Sequence, residues 1–287
     1  MPKRAIVTVT TDFGLRDPFV GIMKGVILGL NPEIDLVDLS HQVTPHDILD
    51  GAFTLFESYR FFPPDTIHLV VVDPGVGSER RPLLASTPKY TFVAPDNGVL
   101  AMMIEREEAV EVRHVTADQY FLKPLSNTFH GRDVFAPVAG WLSRGIAPDK
   151  FGEVITDYVR TAPGQPPRPA RIADNGVRGA VLKIDNFGNV ITNLTLVDVP
   201  ELVREEPSSF RVVVNGHEIT RLVSAYAGGG PGETVAIVGS AGFLELANNL
   251  GSAAGSLGAS TGMEVFVYLS GLKGSSGHLD QRSALLQ

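Results

Sequence analysis

Over residues 5–145, short runs of β character alternate with segments whose apolar residues recur at helical spacing. That alternation limits the first half of the chain to a sheet covered by helices. AIVTVT at 5–10 reads as a strand. Asp17 is placed to cap a helix opening on Pro18, a favoured first position, and Phe19, Ile22, Met23, Val26, Ile27 and Leu30 continue it until Asn31-Pro32. IDLVDLS at 34–40 is a second strand. Thr44-Pro45 opens a second helix carrying Ile48, Leu49, Ala52, Phe53, Phe56 and Tyr59, which Pro63-Pro64 stops. TIHLVVV at 66–72 is apolar almost throughout, as a strand covered on both faces should be. TFVA at 91–94 and AVEVRHV at 109–115 are further strands, and residues 132–145 form a last amphipathic helix.

The pattern changes at APGQPPRPARIADNG, 162–176, where four prolines suit an extended linker and not a helix. Beyond it the runs are mostly β: GAVLKID, NVITNL, the hairpin signal RVVVNGHEIT built on Asn215-Gly216, ETVAIVG and MEVFVYL. The expected architecture is an α/β N-terminal domain (1–162) with a central sheet and flanking helices, a Pro-rich linker (163–177), and an all-β C-terminal barrel-like domain (178–271). A weakly ordered tail (272–287) follows.

Composition narrows the function. With 44% hydrophobic and 20% charged residues, the 287-residue chain can bury a sizeable core, and a formal charge of −8 argues against a nucleic-acid partner. No cysteine is present, so disulfides, thiolate nucleophiles and zinc–thiolate sites are excluded. The N-terminal stretch reaches Asp12 too soon to hold a signal-peptide core, and no run approaches the roughly 18 apolar residues of a membrane span. A cytoplasmic protein with no membrane association is expected.

Several polar residues stand where chemistry is plausible. VVVDPGVGSERRP carries Asp73 at the end of an apolar strand and Arg80 beyond a glycine turn. Ligands of α/β sheets sit outside such carboxyl ends, yet Asp, Pro and Gly also make ordinary turns. The segment lacks the Gly-Lys-Ser/Thr ending of a phosphate loop. His130, in NTFHGRD, is either structural or catalytic; the histidines show no metal-ligand spacing, and no metal is expected. Asp12 ends the first strand, where a carboxylate can accept hydrogen bonds from a ribose diol or merely shape a turn. In KIDNFGNVITN, Asp185, Phe187 and Asn189 surround one tight turn; the amide offers a donor and an acceptor to an adenine edge and the ring a stacking surface. A β-bulge turn explains the same letters. In the small-residue segment 238–258 the obvious polar groups are Ser240 and Glu245, and a loosely packed helix is the alternative.

Seven strings in order resemble the S-adenosylmethionine (SAM) hydroxide adenosyltransferase family, related to fluorinases and chlorinases. They are TDFG at 11–14, DPFVGIMKGV at 17–26, VVDPGVGSERR at 71–81, APDNGVL at 94–100, TFHGRDVF at 128–135, IDNFGNVITN at 184–193 and GSAGFLELANN at 239–249. The resemblance implies an α/β domain followed by a β-barrel, assembled as a homotrimer. Substrate would lie between one subunit's N-terminal domain and its neighbour's C-terminal domain. It places the family's Asp–Arg–His triad on Asp73, Arg80 and His130. Asp12 would hold the ribose, Phe129 line the reacting centre, Asp185 and Ser240 hold the methionine ends, and Asn189 the adenine. Halogenating relatives carry tyrosine at the position of His130, and fluorinase a serine at that of Gly131, so a water-using member is implied. Ala241 stands where halogenases have arginine, and His46 where they have a tryptophan.

The implied reaction is hydrolysis of SAM to adenosine and L-methionine, by SN2 attack of an activated water or hydroxide on ribose C5′. SAM is the substrate and no cofactor is needed. Arg80 would favour hydroxide character, while His130 and Asp73 would accept or relay the proton. The alternatives are a SAM-dependent halogenase and a non-catalytic sensor of adenosine or SAM.

Overall fold

The computed structural model describes residues 4–173, 175–203 and 209–270; the expected tail lies outside the described residues. The chain divides into two compact units between Gln165 and Pro166. No helix among the described residues is long and apolar enough to cross a membrane.

The first unit contains β1 (Ala5–Thr11), α1 (Phe19–Leu30), β2 (Ile34–Ser40), α2 (Ile48–Ser58), β3 (Thr66–Val71), β4 (Pro82–Ser86), β5 (Tyr90–Pro95), α3 (Ala101–Arg106), β6 (Glu111–His114) and α4 (Ala136–Ser143). Its six strands form one sheet in the order β2-β1-β3-β5-β4-β6. The first four are parallel, and the β4 pairings with β5 and β6 are antiparallel. The Val/Thr alternation of β1 sorts the layers. Val7 and Val9 join Met23 and Ile27 of α1 and Val138 and Ala139 of α4 in one core. Thr8 and Thr10 are equally buried on the other face, where Thr8 Oγ1 bonds His68 Nδ1 of β3 at 2.8 Å. Every residue of β3 is buried, as its apolar run predicts.

The connections leave β1 toward β2 on one side and reach β3 on the other, so the strand order reverses between β1 and β3. In open α/β sheets that crevice, outside the carboxyl ends, is where ligands bind. Thr11 pairs with Val71 at the ends of the two strands; Asp12 follows the first directly, and Asp73 follows the second after Val72.

Helix starts differ from expectation. Pro18 is the N-cap of α1 without a side-chain cap, and Asp17 does not cap it. Asp47, not Thr44, begins α2, its carboxylate accepting from Asp50 N at 2.9 Å. The last helix is α4 alone, because residues Gly131–Phe135 form a π-helical turn ahead of it.

The second unit holds β7 (Ala170–Ile172), β8 (Gly176–Ile184), β9 (Val190–Thr195), β10 (Ser209–Val214), β11 (His217–Ile219), β12 (Leu222–Val223), β13 (Thr234–Val238), β14 (Phe243–Asn248), α5 (Ala253–Leu257) and β15 (Glu264–Ser270). Within the expected linker, β7 pairs antiparallel with β8. A nine-stranded sheet runs β11-β10-β15-β8-β9-β14-β13-β12, with β7 beside β8. Among the described residues no ladder joins β11 to β12, and the second unit is observed as a strand-rich sheet. Val181, Val190, Leu194, Val212, Leu246, Val265 and Val267 fill its core. The hairpin at Asn215-Gly216 forms as expected, with φ of 47° and 77° at the two turn residues. The segment 238–258 is not one loose helix. It is the end of β13, a glycine turn, β14 and the five-residue α5.

Candidate active site

The loop after β3 folds back on itself through short turns: Val76 N donates to Asp73 O, and Ser78 N to Gly75 O. This brings Arg80 back to Asp73, seven residues earlier. Arg80 Nε donates to Asp73 Oδ1 at 2.8 Å, and Arg80 Nη2 donates to Asp73 Oδ2, a bidentate charge-assisted pair. The pair is dry, with side-chain exposures of 4% for Asp73 and 8% for Arg80. The guanidinium also lies over the Phe135 ring, 5.0 Å from its centroid. Removing one partner of such a pair strands a buried charge, at a cost of roughly 3–5 kcal/mol.

His130 completes the group. Arg80 Nη2 lies 3.0 Å from its Nδ1. The structure therefore joins the three residues singled out from separate sequence segments. Burial, and then the Arg80 charge, hold the His130 pKa below its usual value, with Asp73 and Asp133 opposing them. The ring is thus neutral near pH 7. Arg80 Nη1 is buried and has no partner among the described residues.

Two further devices position this network, and neither stood out in the sequence. One is the π-helical turn Gly131–Phe135, a rare geometry that recurs at functional sites. Within it Asp133 is fully buried; its carboxylate accepts from Ser126 N at 2.7 Å and from Arg132 Nε at 2.5 Å, tying down the approach to His130. The other is the turn after β5. Asn97 Nδ2 donates to Val72 O at 2.9 Å, one residue before Asp73. Asp96 Oδ2 accepts from Arg81 Nη2 at 2.7 Å, one residue after Arg80. Both feet of the 73–80 loop are held by adjacent residues of one turn.

The other predicted residues of the first unit lie nearby in the fold. Asp12 is half-buried and accepts from His46 N at 2.9 Å through Oδ2. His46 itself is exposed, at φ 66°. Phe129 packs edge-on against Phe13 and Phe19 with centroids 6.0 and 5.3 Å away.

The second unit carries the remaining candidates. Asp185 Oδ1 accepts from the backbone N of Phe187 and Asn189 at 2.9 and 2.8 Å, and Oδ2 accepts from Asn189 Nδ2 at 2.8 Å. Asn189 is buried and has given one donor to Asp185, while Phe187 is 78% exposed at the turn tip. Ser240 is exposed in the β13–β14 turn, whose glycine Gly239 has no room for a side chain because Glu245 Oε1 would lie 1.6 Å from a Cβ. Glu245 is buried in β14, and Tyr226 Oη donates to its Oε2 at 3.0 Å. Burial raises the Glu245 pKa, and Asp185 adds to the rise, so the two carboxylates are electrostatic neighbours. The same burial and the Glu245 charge push the Tyr226 phenol up to about 12. Tyr226, in the AYAGGG stretch, was not apparent from sequence.

Comparison with known proteins finds relatives of both units. A family model described as the SAM hydroxide adenosyltransferase N-terminal domain matches residues 7–152, and its C-terminal counterpart matches residues 179–266. A relative from Thermus thermophilus, named (R)-S-adenosyl-L-methionine hydrolase, is 38% identical over 264 residues, covering 89% of this chain and 96% of that protein. A fluorinase from Nocardia brasiliensis is 27% identical over 281 residues, covering 88% and 93%. A crystal structure of an uncharacterised conserved protein from Thermotoga maritima superposes with a TM-score of 0.84 at 35% identity, over 91% of this chain and 99% of that one. With both domain descriptions matched in order over the two units, the chain belongs to the SAM hydroxide adenosyltransferase family.

Proposed function

We propose that this protein hydrolyses S-adenosyl-L-methionine to adenosine and L-methionine. Attack of hydroxide, or of water with hydroxide character, falls on ribose C5′ opposite sulfur. The observation that carries the reading is the Asp73–Arg80–His130 network at the end of β3, in a chain 38% identical to a named hydrolase of this substrate.

The physics of the reaction fits the residues. The sulfonium leaves as a neutral thioether, so the leaving group needs no acid. The nucleophile is the difficulty, since bulk water has a pKa of about 15.7. Arg80, permanently charged and held by Asp73 in a dry setting, stabilises negative charge on an oxygen beside it. Positioning the oxygen in line with the C5′–S bond contributes up to roughly 7–11 kcal/mol, more than the 10²–10⁴-fold typical of proton removal. Asp12 would hold the ribose hydroxyls, Phe129 line the reacting carbon, Asp185 and Ser240 hold the methionine ends, and Phe187 and Asn189 take the adenine. Glu245 adds negative charge for a cationic substrate. No cofactor enters the scheme.

Three finer elements belong to the same reading. The resemblance supplies a homotrimer, with substrate shared between neighbouring subunits, and a barrel-like second domain; sedimentation velocity tests the assembly. The absence of cysteine agrees with a cytoplasmic setting.

The decisive experiment is chromatography of purified protein with SAM, following adenosine and methionine, with the two sulfonium epimers assayed separately because the named relatives specify (R). Formation of both products supports the assignment, and intact SAM after prolonged incubation refutes it. The fluorinase relatives make halogenation the second reading, and inclusion of fluoride or chloride with mass analysis for 5′-halo-5′-deoxyadenosine decides it. Tight adenosine retention with turnover far below about 1 s⁻¹ would point to a sensor.

A further inference from the structure

Within this reading, one hydrogen bond limits what the histidine can do. Arg80 Nη2 lies 3.0 Å from His130 Nδ1. A guanidinium offers only N–H donors and does not deprotonate in proteins, so Nδ1 must be the acceptor and carry no hydrogen. A neutral imidazole then bears its one hydrogen on Nε2. Protonating Nδ1 would set one N–H against another beside a fixed positive charge.

We infer that His130 serves as a hydrogen-bond donor to the attacking oxygen through Nε2–H, and that it is not the base that removes the proton from water. The inference rests on the proposed hydrolysis and goes beyond it by dividing the roles inside the triad. The N–H of the network left to meet a ligand is then His130 Nε2–H. Arg80 Nη1 has no partner among the described residues but is shielded from solvent, so Arg80 acts on the oxygen through its charge. A donor beside a fixed positive charge holds hydroxide in preference to water, because hydroxide presents more lone-pair density and the guanidinium charge favours it.

The step balances without a protein base. Water bound at His130 Nε2–H beside the guanidinium gives its proton to solvent. The oxygen of the remaining hydroxide bonds to C5′ as the C5′–S electron pair returns to sulfur, and the hydroxide's own hydrogen becomes that of the adenosine 5′-hydroxyl. Asp73 acts by fixing the guanidinium, accepting from Nε and Nη2.

The charged groups around His130 are Arg80 and Asp73 from the loop after β3, and Asp133 from the π-helical turn. Arg80 disfavours the imidazolium and the two carboxylates favour it, while burial keeps the ring neutral.

Two measurements test the assignment. The first is long-range ¹H–¹⁵N correlation spectroscopy of histidine-labelled protein, with His130 assigned by comparison with His130→Gln. The expected result is a neutral Nε2–H tautomer throughout pH 6.5–8.5. An Nδ1–H tautomer, or an imidazolium at pH 7, overturns the inference. The second is kcat/KM against pH for the parent, His130→Gln, His130→Asn and His130→Ala. The glutamine amide places N–H near the position of Nε2, whereas asparagine reaches only that of Nδ1. His130→Gln should keep activity within about tenfold of the parent, while the asparagine and alanine variants fall by about 10² or more. The parent profile should rise through neutral pH toward an alkaline plateau. A plateau reached below pH 6.5, with an acid limb that disappears in His130→Gln, would mark His130 as the base. Failure of the parent to release adenosine would instead refute the hydrolase reading, so the two failures are distinguishable.

Discussion

The α-carbon of Gly77 packs so closely on the carbonyl of Asn127 that a Cβ there would lie 2.2 Å from the oxygen. This contact joins the Asp73–Arg80 loop to the segment leading into His130, at a residue whose φ is +79°. An L side chain meets both a backbone clash and an unfavourable conformation. Gly77→Ala should therefore separate the two arms and lower kcat by about a hundredfold or more, the range of a lost catalytic group. Gly75→Ala is the control. A Cβ at Gly75 meets its nearest neighbour, Ser78 Oγ, at 3.4 Å, and near-parental turnover is expected. Equal losses in both variants would show that the loop tolerates no change anywhere, and the specific role of the Gly77 contact would fall.

Asn97 offers a subtler test. Its donation to Val72 O satisfies a buried carbonyl one residue before Asp73, while Val99 N donates to its own Oδ1 at 3.1 Å. Asn97→Ala leaves that carbonyl bare and should cost about 1–3 kcal/mol of stability, the usual penalty for an orphaned buried group. If the tether positions Asp73, kcat falls more than KM rises, at temperatures well below the variant's unfolding. Loss of stability with unchanged kcat would make Asn97 purely structural.

Acid stability follows from His68. Its ring is fully buried among Tyr59, Tyr90 and Phe92, and burial pushes its pKa down to about 3. The unfolded chain protonates this histidine below about pH 6.5 while the folded one does not, so the unfolded state binds more protons and stability falls with falling pH. The loss continues until the folded pKa is reached. At 1.36 kcal/mol per unit, this one group removes about 2 kcal/mol between pH 6.5 and pH 5. The double variant Thr8→Val/His68→Phe removes both ends of the buried hydrogen bond together and should flatten urea-midpoint curves over that interval. An undiminished slope would assign the acid sensitivity to other groups.

Much of this fold was legible because its strands are simple in pattern. The apolar run of β3, the Val/Thr alternation of β1 and the Asn-Gly hairpin each encode their outcome locally. PLLAS of β4 carries little strand signal because it is short and opens on proline, and FLELAN of β14 is masked by the small residues on either side of it. The catalytic candidates were placed by motif, and the geometry then joined Asp73, Arg80 and His130. What local sequence could not reveal are the long-range tethers. Asn97 to Val72 and Tyr226 to Glu245 join residues 25 and 19 positions apart, and nothing in periodicity marks them. The π-helical turn shares its letters with an ordinary helix start.

The Tyr226–Glu245 pair allows a test on the binding side. Burial holds Glu245 above the ordinary carboxylate range and the Asp185 charge adds to this, while the hydrogen bond from Tyr226 acts the other way. Glu245 attracts a cationic substrate only when ionised, so its contribution to binding is present above its pKa and lost as pH falls through it. KM for SAM should therefore rise on acidification. Tyr226→Phe deletes the donor, moves the Glu245 pKa further up, and should shift the rise in KM to higher pH while leaving kcat at saturating substrate close to the parent's. Glu245→Gln removes the charge at every pH and should give a raised KM with this pH dependence abolished. A KM profile identical in parent, Tyr226→Phe and Glu245→Gln would remove Glu245 from the substrate's surroundings.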